Sequence, residues 1–86
     1  MKYRSRTEIA SRILESAAEG TTKTRIMYKA FLSYSQLQEY LSVLEENGLL
    51  AHDKGEQLYK TTEKGKRFLD ITNSLRGMME TIPSMH

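Results

Sequence analysis

Residues 32–50 read LSYSQLQEYLSVLEENGLL, and this stretch decides the fold. Ser33 stands three residues before Gln36, the spacing of a capping box in which each side chain bonds the other residue's backbone N–H. Gly48 follows Asn47 and can adopt the left-handed conformation that closes a helix. Apolar residues between these signals recur at intervals of four and three and so share one helical face: Leu37, Leu41 and Leu44. The stretch predicts a helix of about 14 residues with one buried face.

The opposite face of this central helix carries hydroxyls, amides and a carboxylate, and residues 30–50 contain no lysine or arginine. Its outward residues are Tyr34, Ser35, Gln38, Glu39 and Ser42. Hydroxyls and amides can hydrogen-bond base edges in a major groove. An ordinary solvated face is the alternative, and the neighbouring segments decide between the two.

Composition limits the chain to one small domain. It has 86 residues, 38% of them hydrophobic, and no cysteine, which excludes disulfides and thiolate metal sites. Dimerisation is then the remaining common way to bury more surface. No apolar run approaches the ~20 residues of a membrane span, and the N-terminus lacks a signal-peptide core. We therefore expect a soluble, intracellular protein.

The positive charge is unevenly distributed. Residues 1–29 carry seven basic and three acidic side chains, a net charge of +4, whereas residues 30–50 carry three glutamates, a net charge of −3. Residues 51–86 carry six basic and five acidic side chains, a net charge of +1. A phosphate backbone would therefore be contacted from both sides of the central helix rather than by the helix itself.

Two helices are predicted before the central one. The first begins at Thr7 with Glu8 and ends at Gly20. A basic segment, Lys2, Arg4 and Arg6, precedes it and is either a disordered terminus or a phosphate-contacting arm. A very short strand could follow at Thr21 and Thr22.

The second helix is predicted to begin at a Thr24 cap and to run to Phe31. Only Leu32-Ser33 separates it from the central helix, which is a helix-turn-helix pattern. A helix N-terminus with adjacent cations is a good phosphate site. The candidates, each of which could instead be a solvated charge, are Lys23, Arg25 and Lys29.

After Gly48 the pattern changes to apolar–polar alternation around a Lys-Gly tip at 54–55, which predicts a β-hairpin. Either Leu50 with Tyr59 or Leu49 with Leu58 would face inward. His52 and Asp53 are expected to be a solvated pair in a loop. Thr61 or Thr62 would cap a last helix, which extends to about residue 82 before Pro83 stops it. Its first turns hold cations that either serve another group or are solvated: Lys64, Lys66 and Arg67.

The last helix carries a heptad seam with intervals of three, four, three and four: Phe68, Ile71, Leu75, Met78 and Ile82. A small domain has no obvious partner for the distal half of this seam. We expect a two-chain, antiparallel coiled coil, the alternative being that the helix folds back on its own domain.

The predicted elements in order constitute an α+β, mostly α fold: a winged helix-turn-helix with a C-terminal coiled-coil dimerisation helix. Residues 1–62 would form the DNA-binding domain and residues 63–86 the dimerisation helix with a short tail.

Several stretches also carry a family resemblance: TKTRIMYKA (22–30), LSY (32–34), LQEYL (37–41), ENGLL (46–50) and YKTTEKG (59–65). Together they resemble archaeal winged-helix proteins, small predicted transcriptional regulators related to the chromatin-associated dimers of Sulfolobus. The resemblance extends from Thr7 to Phe68. It implies that a homodimer binds double-stranded DNA and that its C-terminal helices form an antiparallel coiled coil.

The resemblance also implies roles for individual residues. Lys23, Thr24 and Arg25 match the basic start of the second helix, and Lys54 to Glu56 match the wing. The groove-facing end of the recognition helix corresponds to Tyr34, Ser35, Gln36 and Gln38. The chain departs from such relatives in lacking a basic residue near residues 35–38, which implies lower affinity.

We therefore expect a nucleoid-associated, cytoplasmic double-stranded DNA binder that acts in transcription regulation or chromatin organisation. The alternative is a protein-interaction adaptor, because a neutral-to-acidic central helix also suits a protein surface. The chain has two histidines and shows no glycine-rich phosphate loop or metal-ligand spacing. An enzyme, a metal site, a cofactor and a small-molecule ligand are not predicted.

Overall fold

The computed structural model describes residues 5–80, apart from the side chains of Arg76, Met79 and Glu80. These residues form four helices and one antiparallel hairpin, in the order α1 (Arg6–Ser16), α2 (Lys23–Ala30), α3 (Tyr34–Glu46), β1 (Leu50–Asp53), β2 (Leu58–Thr61) and α4 (Glu63–Glu80). This order confirms the predicted α+β, mostly α winged helix-turn-helix. None of the helices in residues 5–80 is long and apolar enough to cross a membrane.

The predicted beginning of α1 at Thr7 is wrong, because Ser5 is the N-cap. Ser5 has an extended backbone, and its hydroxyl accepts a hydrogen bond from the Glu8 N–H at 3.0 Å. An N-cap must lie outside the helical conformation, and Thr7 already lies within the helix. The helix also ends earlier than expected, at Ser16, and a turn leads to Gly20, where φ is +96°.

The predicted Thr24 cap of α2 is wrong for the same reason. Thr22 has the extended backbone of an N-cap, and its hydroxyl accepts from the Arg25 N–H at 3.3 Å. Thr24 is the second residue of the helix. The expected short strand is reduced to a bridge in which Thr21 and Tyr59 exchange two backbone hydrogen bonds of 2.9 and 2.8 Å.

The structure confirms the capping box of α3. The Ser33 hydroxyl accepts from the Gln36 N–H at 3.3 Å, and the Gln36 carboxamide oxygen accepts from the Ser33 N–H at 3.0 Å. At the other end, Gly48 has the expected positive φ of +73°. The apolar stripe is buried against the rest of the domain: Leu37, Leu41 and Leu44.

The hairpin register places Leu50 opposite Thr61 and His52 opposite Tyr59. Leu50 and Tyr59 are buried, which decides between the two predicted inward pairs. His52 lies in β1 and not in a loop, and its ring stacks on Tyr59 with centroids 4.1 Å apart. At the tip, the Asp53 carboxylate accepts from two backbone N–H groups, which is an Asx turn.

The core lies between α1, α2, α3, the proximal half of α4 and the inner face of the hairpin. Its buried apolar residues are Ile9, Ala10, Ile13, Leu14, Ala17, Ile26, Ala30, Leu32, Leu37, Leu41, Leu44, Leu50, Tyr59 and Leu69. The buried Thr61 hydroxyl donates to the Leu14 carbonyl at 2.7 Å, so this polar group is satisfied inside the core.

The first turn of α4 packs closely on the chain that leaves α3. Thr62 caps α4, because its hydroxyl accepts from the Gly65 N–H at 3.1 Å, and the same hydroxyl donates to the Gly48 carbonyl at 2.7 Å. The Lys64 ammonium donates to the Asn47 carbonyl at 2.9 Å. Lys64 thus serves the C-terminus of another helix, where a cation is favourable.

The proximal half of α4 belongs to the core of its own domain. Leu69 is buried, Phe68 packs partly buried against the core, and the buried Ser11 hydroxyl donates to Thr72 Oγ1 at 3.3 Å. Of the predicted seam, three residues are exposed, Ile71 by 62%, Leu75 by 56% and Met78 by 62%. Ile82 and Pro83 lie outside the described residues.

We predict that Gly65→Ala lowers the free energy of unfolding by at least about 2 kcal/mol, because the new methyl group would overlap the Leu49 carbonyl oxygen and the Thr61 side chain. Gly77→Ala is the matched control, since a Cβ there meets no heavy atom of the described residues within 4 Å. It should stabilise the exposed helix by about 0.5–1 kcal/mol. Urea unfolding followed by circular dichroism measures both, and equal effects of the two substitutions would contradict the close packing.

We predict that Thr22→Ala destabilises the protein by about 1 kcal/mol, because the Arg25 N–H loses its acceptor. Thr24→Ala should change the unfolding free energy by less than about 0.5 kcal/mol, as expected of an exposed helical position. The same urea titration compares the two variants. A larger destabilisation by Thr24→Ala would show that Thr22 is not the cap.

Candidate nucleic-acid interface

The structure divides the predicted groove-facing residues of α3 between two flanks of the helix. Tyr34, which is 59% exposed, lies on the flank towards α2 with Gln38, since both contact Lys23. Ser35 is exposed beside them. Gln36 lies on the other flank, where it lines a groove towards α1 and α4, and its carboxamide oxygen is bonded in the capping box.

A cation from α2 completes the first flank. The half-buried Lys23 donates from Nζ to Gln38 Oε1 at 2.9 Å, and the same nitrogen lies 5.4 Å from the centroid of the Tyr34 ring. An ammonium this close to an aromatic face is attracted by the ring quadrupole. The helix α3 has no lysine or arginine of its own, and α2 supplies the positive charge instead.

An aromatic pair joins the two strands of the hairpin. His52 stacks on the Tyr59 ring with the two planes 3° apart. Burial raises the pKa of the Tyr59 hydroxyl, and the positive charge of Lys23 opposes that rise. The pair lies on the inner face of the hairpin, with the buried Leu50 and Thr61.

The other predicted cations of α2 are separated from this flank. Thr24 and Arg25 are exposed in the first turn of α2. Lys29 is exposed on the side of α2 that faces α1, where it lines a shallow groove with Arg12, Glu15 and Ser16. The structure therefore brings Lys23 to α3 and leaves Arg25 and Lys29 as outlying charges.

The wing presents an exposed cation at its tip. Lys54 follows the last residue of β1, and the Asx turn at Asp53 fixes the backbone around it. The Gln57 side-chain amide donates to the Lys54 carbonyl at 3.0 Å, and Gln57 itself has a φ of 59°. These hydrogen bonds fix the backbone of the hairpin tip that bears Lys54.

A separate groove of 520 Å³ lies between α1, α3 and α4. It is mostly apolar in its interior, with Tyr40, Val43, Leu44, Leu49 and Phe68 among its lining residues and Arg6 and Glu39 at polar positions. Within the ranges that the structure describes, no three His, Asp or Glu side chains come together closely enough to hold a metal ion.

Sequence reasoning missed the contact of Lys23 with α3. It assigned Lys23 to the basic start of α2, whereas the side chain bridges 15 positions to Gln38. Lys23 and Gln38 are both candidate site residues in the sequence, but their contact depends on how α2 crosses α3. The sequence signal for the contact is that α3 is rich in hydrogen-bond acceptors and has no cation of its own.

Comparison with known proteins agrees with this architecture. The chain matches the winged helix-turn-helix family over residues 3–80. It is 33% identical over 81 residues to an uncharacterized protein of Methanocaldococcus jannaschii, covering 93% of this chain and 81% of that relative. The crystal structure of Sso10a-2, a DNA-binding protein from Sulfolobus solfataricus, is similar with a TM-score of 0.77 and 30% identity, covering 90% of this chain and 83% of that one.

The family match spans nearly the whole chain. The similarity to archaeal proteins confirms the resemblance seen in the sequence. The chain therefore belongs to the winged helix-turn-helix family.

Proposed function

We propose that the protein binds double-stranded DNA as a homodimer and acts in transcription regulation or chromatin organisation at the nucleoid. The observation that carries this proposal is the flank of α3 on which Lys23 contacts both Gln38 and Tyr34. Hydrogen-bonding side chains oriented by a fixed cation suit the edges of bases. The similarity to Sso10a-2, a DNA-binding protein, supports it.

The proposed contacts are of two kinds. Tyr34, Ser35 and Gln38 face base edges in the major groove, as the N-terminal residues of a recognition helix do. Phosphates are contacted by groups at the margins of this helix, namely Thr24, Arg25 and Lys29 of α2 and Lys54 of the wing. Gln36 orders the start of α3 through its capping bond and contributes indirectly.

We expect Arg25→Glu to weaken binding to a duplex by about tenfold or more at low salt, because the substitution removes a phosphate-binding cation and adds a repulsive charge. The slope of log K against log salt should fall in magnitude by roughly 0.9 for each phosphate that is no longer neutralised. Fluorescence anisotropy of a labelled duplex across a salt series measures affinity and slope together.

Lys66→Glu is the matched control, since Lys66 is an exposed cation on α4 and lies outside the proposed contacts. It makes the same change in net charge and should leave the slope unaltered. If Arg25→Glu binds as tightly as Lys66→Glu, or if the wild-type affinity does not depend on salt, the protein-interaction adaptor becomes the better assignment.

The homodimer is proposed from the exposed row on α4. Ile71, Leu75 and Met78 recur at intervals of four and three and leave more than half of each side chain exposed. An apolar row of this kind suits the seam of a coiled coil. Phe68 is only partly buried in the core of its own domain, so it would form the proximal end of the seam. Ile82 would extend the seam at the distal end. Two linked DNA-binding surfaces gain affinity through effective concentration.

We predict that Leu75→Asp converts the protein from a dimer to a monomer, because it places a charge in the middle of the proposed seam. Asn73→Asp adds the same charge at an exposed position on the side of α4 away from the seam and should leave the dimer intact. Sedimentation velocity distinguishes the two species. A wild-type protein that sediments as a monomer would refute the proposed dimer.

A further inference from the structure

The contact between Lys23 and Gln38 fixes the orientation of a carboxamide on the proposed DNA-contacting flank. A lysine ammonium has three donors and no acceptor. Its partner at 2.9 Å must therefore be the amide oxygen of Gln38 and not the amide nitrogen. The Nε2 group, which carries two donor hydrogens, is consequently directed away from Lys23 on an exposed side chain.

Lys23 is itself held in place. Its side chain is half-buried, and its nitrogen lies over the Tyr34 ring at 5.4 Å as well as against Gln38. An ammonium with an acceptor on one side and an aromatic face on another is poorly placed to reach a phosphate. Its contacts therefore favour a role in positioning neighbouring side chains over direct contact with the DNA backbone.

We propose that Lys23 determines the base preference of α3, by holding the oxygen of Gln38 so that this side chain presents a hydrogen-bond donor to the major groove and selects guanine over adenine. The proposal rests on the proposed DNA binding and names the base pair class that this site prefers. Lys23 is thus a positioning residue, which acts on DNA through Gln38.

The hydrogen-bonding groups on the base edges determine which purine is preferred. A glutamine with both ends available bonds adenine in a bidentate manner, with the oxygen accepting from N6–H₂ and the nitrogen donating to N7. Lys23 takes one of the two lone pairs of the oxygen, and its positive charge repels the N6 amino group of adenine from the other. Guanine presents two acceptors, O6 and N7, and both can accept from the Nε2 donors.

Selection from randomised duplexes by the full-length protein tests the proposal. For the wild type we expect enrichment of guanine over adenine at one base pair in each half-site, by at least about fivefold, the lower limit for one good base contact. Lys23→Met keeps the length of the side chain and removes the donor, so the freed carboxamide should shift the preference at that base pair to adenine. Gln38→Ala should abolish the preference there.

The salt dependence of binding is a second measurement, and it would change in the variant if Lys23 contacted a phosphate. Lys23→Met should leave the slope of log K against log salt unchanged, whereas a lysine that neutralises a phosphate would contribute roughly 0.9 to it. A reduced slope with an unaltered base preference would overturn the proposal and leave DNA binding itself intact. A wild-type protein without preference at any base pair would also overturn it.

Two further results separate the inference from the proposed function. Gln38→Ala leaves α2 untouched, so it tests the base preference even if Lys23→Met impairs folding, and a retained guanine preference in this variant would overturn the inference. If the wild type does not bind duplex DNA at low salt, the proposed function fails and the inference fails with it.

Discussion

The rest of the structure depends on the close contact between the first turn of α4 and the chain that leaves α3. Gly65 permits this contact, since any side chain there would overlap the Leu49 carbonyl. Thr62 bonds the Gly48 carbonyl while capping α4, and Lys64 bonds the Asn47 carbonyl. These bonds satisfy carbonyls at the end of α3 that would otherwise lack partners. They also fix where β1 begins, and with it the direction of the hairpin.

With its C-terminus held by α4 and its N-terminus closed by the capping box, α3 is a rigid element that presents a neutral flank. The positive charge on that flank comes from α2, through Lys23. A chain of modest net charge, +2, thus places a cation on this flank although α3 itself has none.

The local features of the fold could be predicted from the sequence, because each depends on residues close together in the chain. The capping box of Ser33 and Gln36 and the positive φ of Gly48 are of this kind. The start of α1 and the cap of α2 cannot be located from the sequence, because several hydroxyl residues stand near each helix start and only the backbone conformation selects Ser5 and Thr22. Contacts across elements, such as Lys23 with Gln38 and Lys64 with Asn47, require the packing itself and had no signature at fixed spacing.

We propose that DNA lies against the flank of α3 that Lys23 contacts, between α2 and the wing. Titration of the ¹⁵N-labelled protein with a short duplex, followed by backbone amide chemical shifts, tests this claim most directly. We predict that the largest shift changes occur at residues 22–25, 33–42 and 53–57. Changes confined to α1 and the groove lined by Tyr40 and Val43, with residues 22–25 and the wing unaffected, would contradict it.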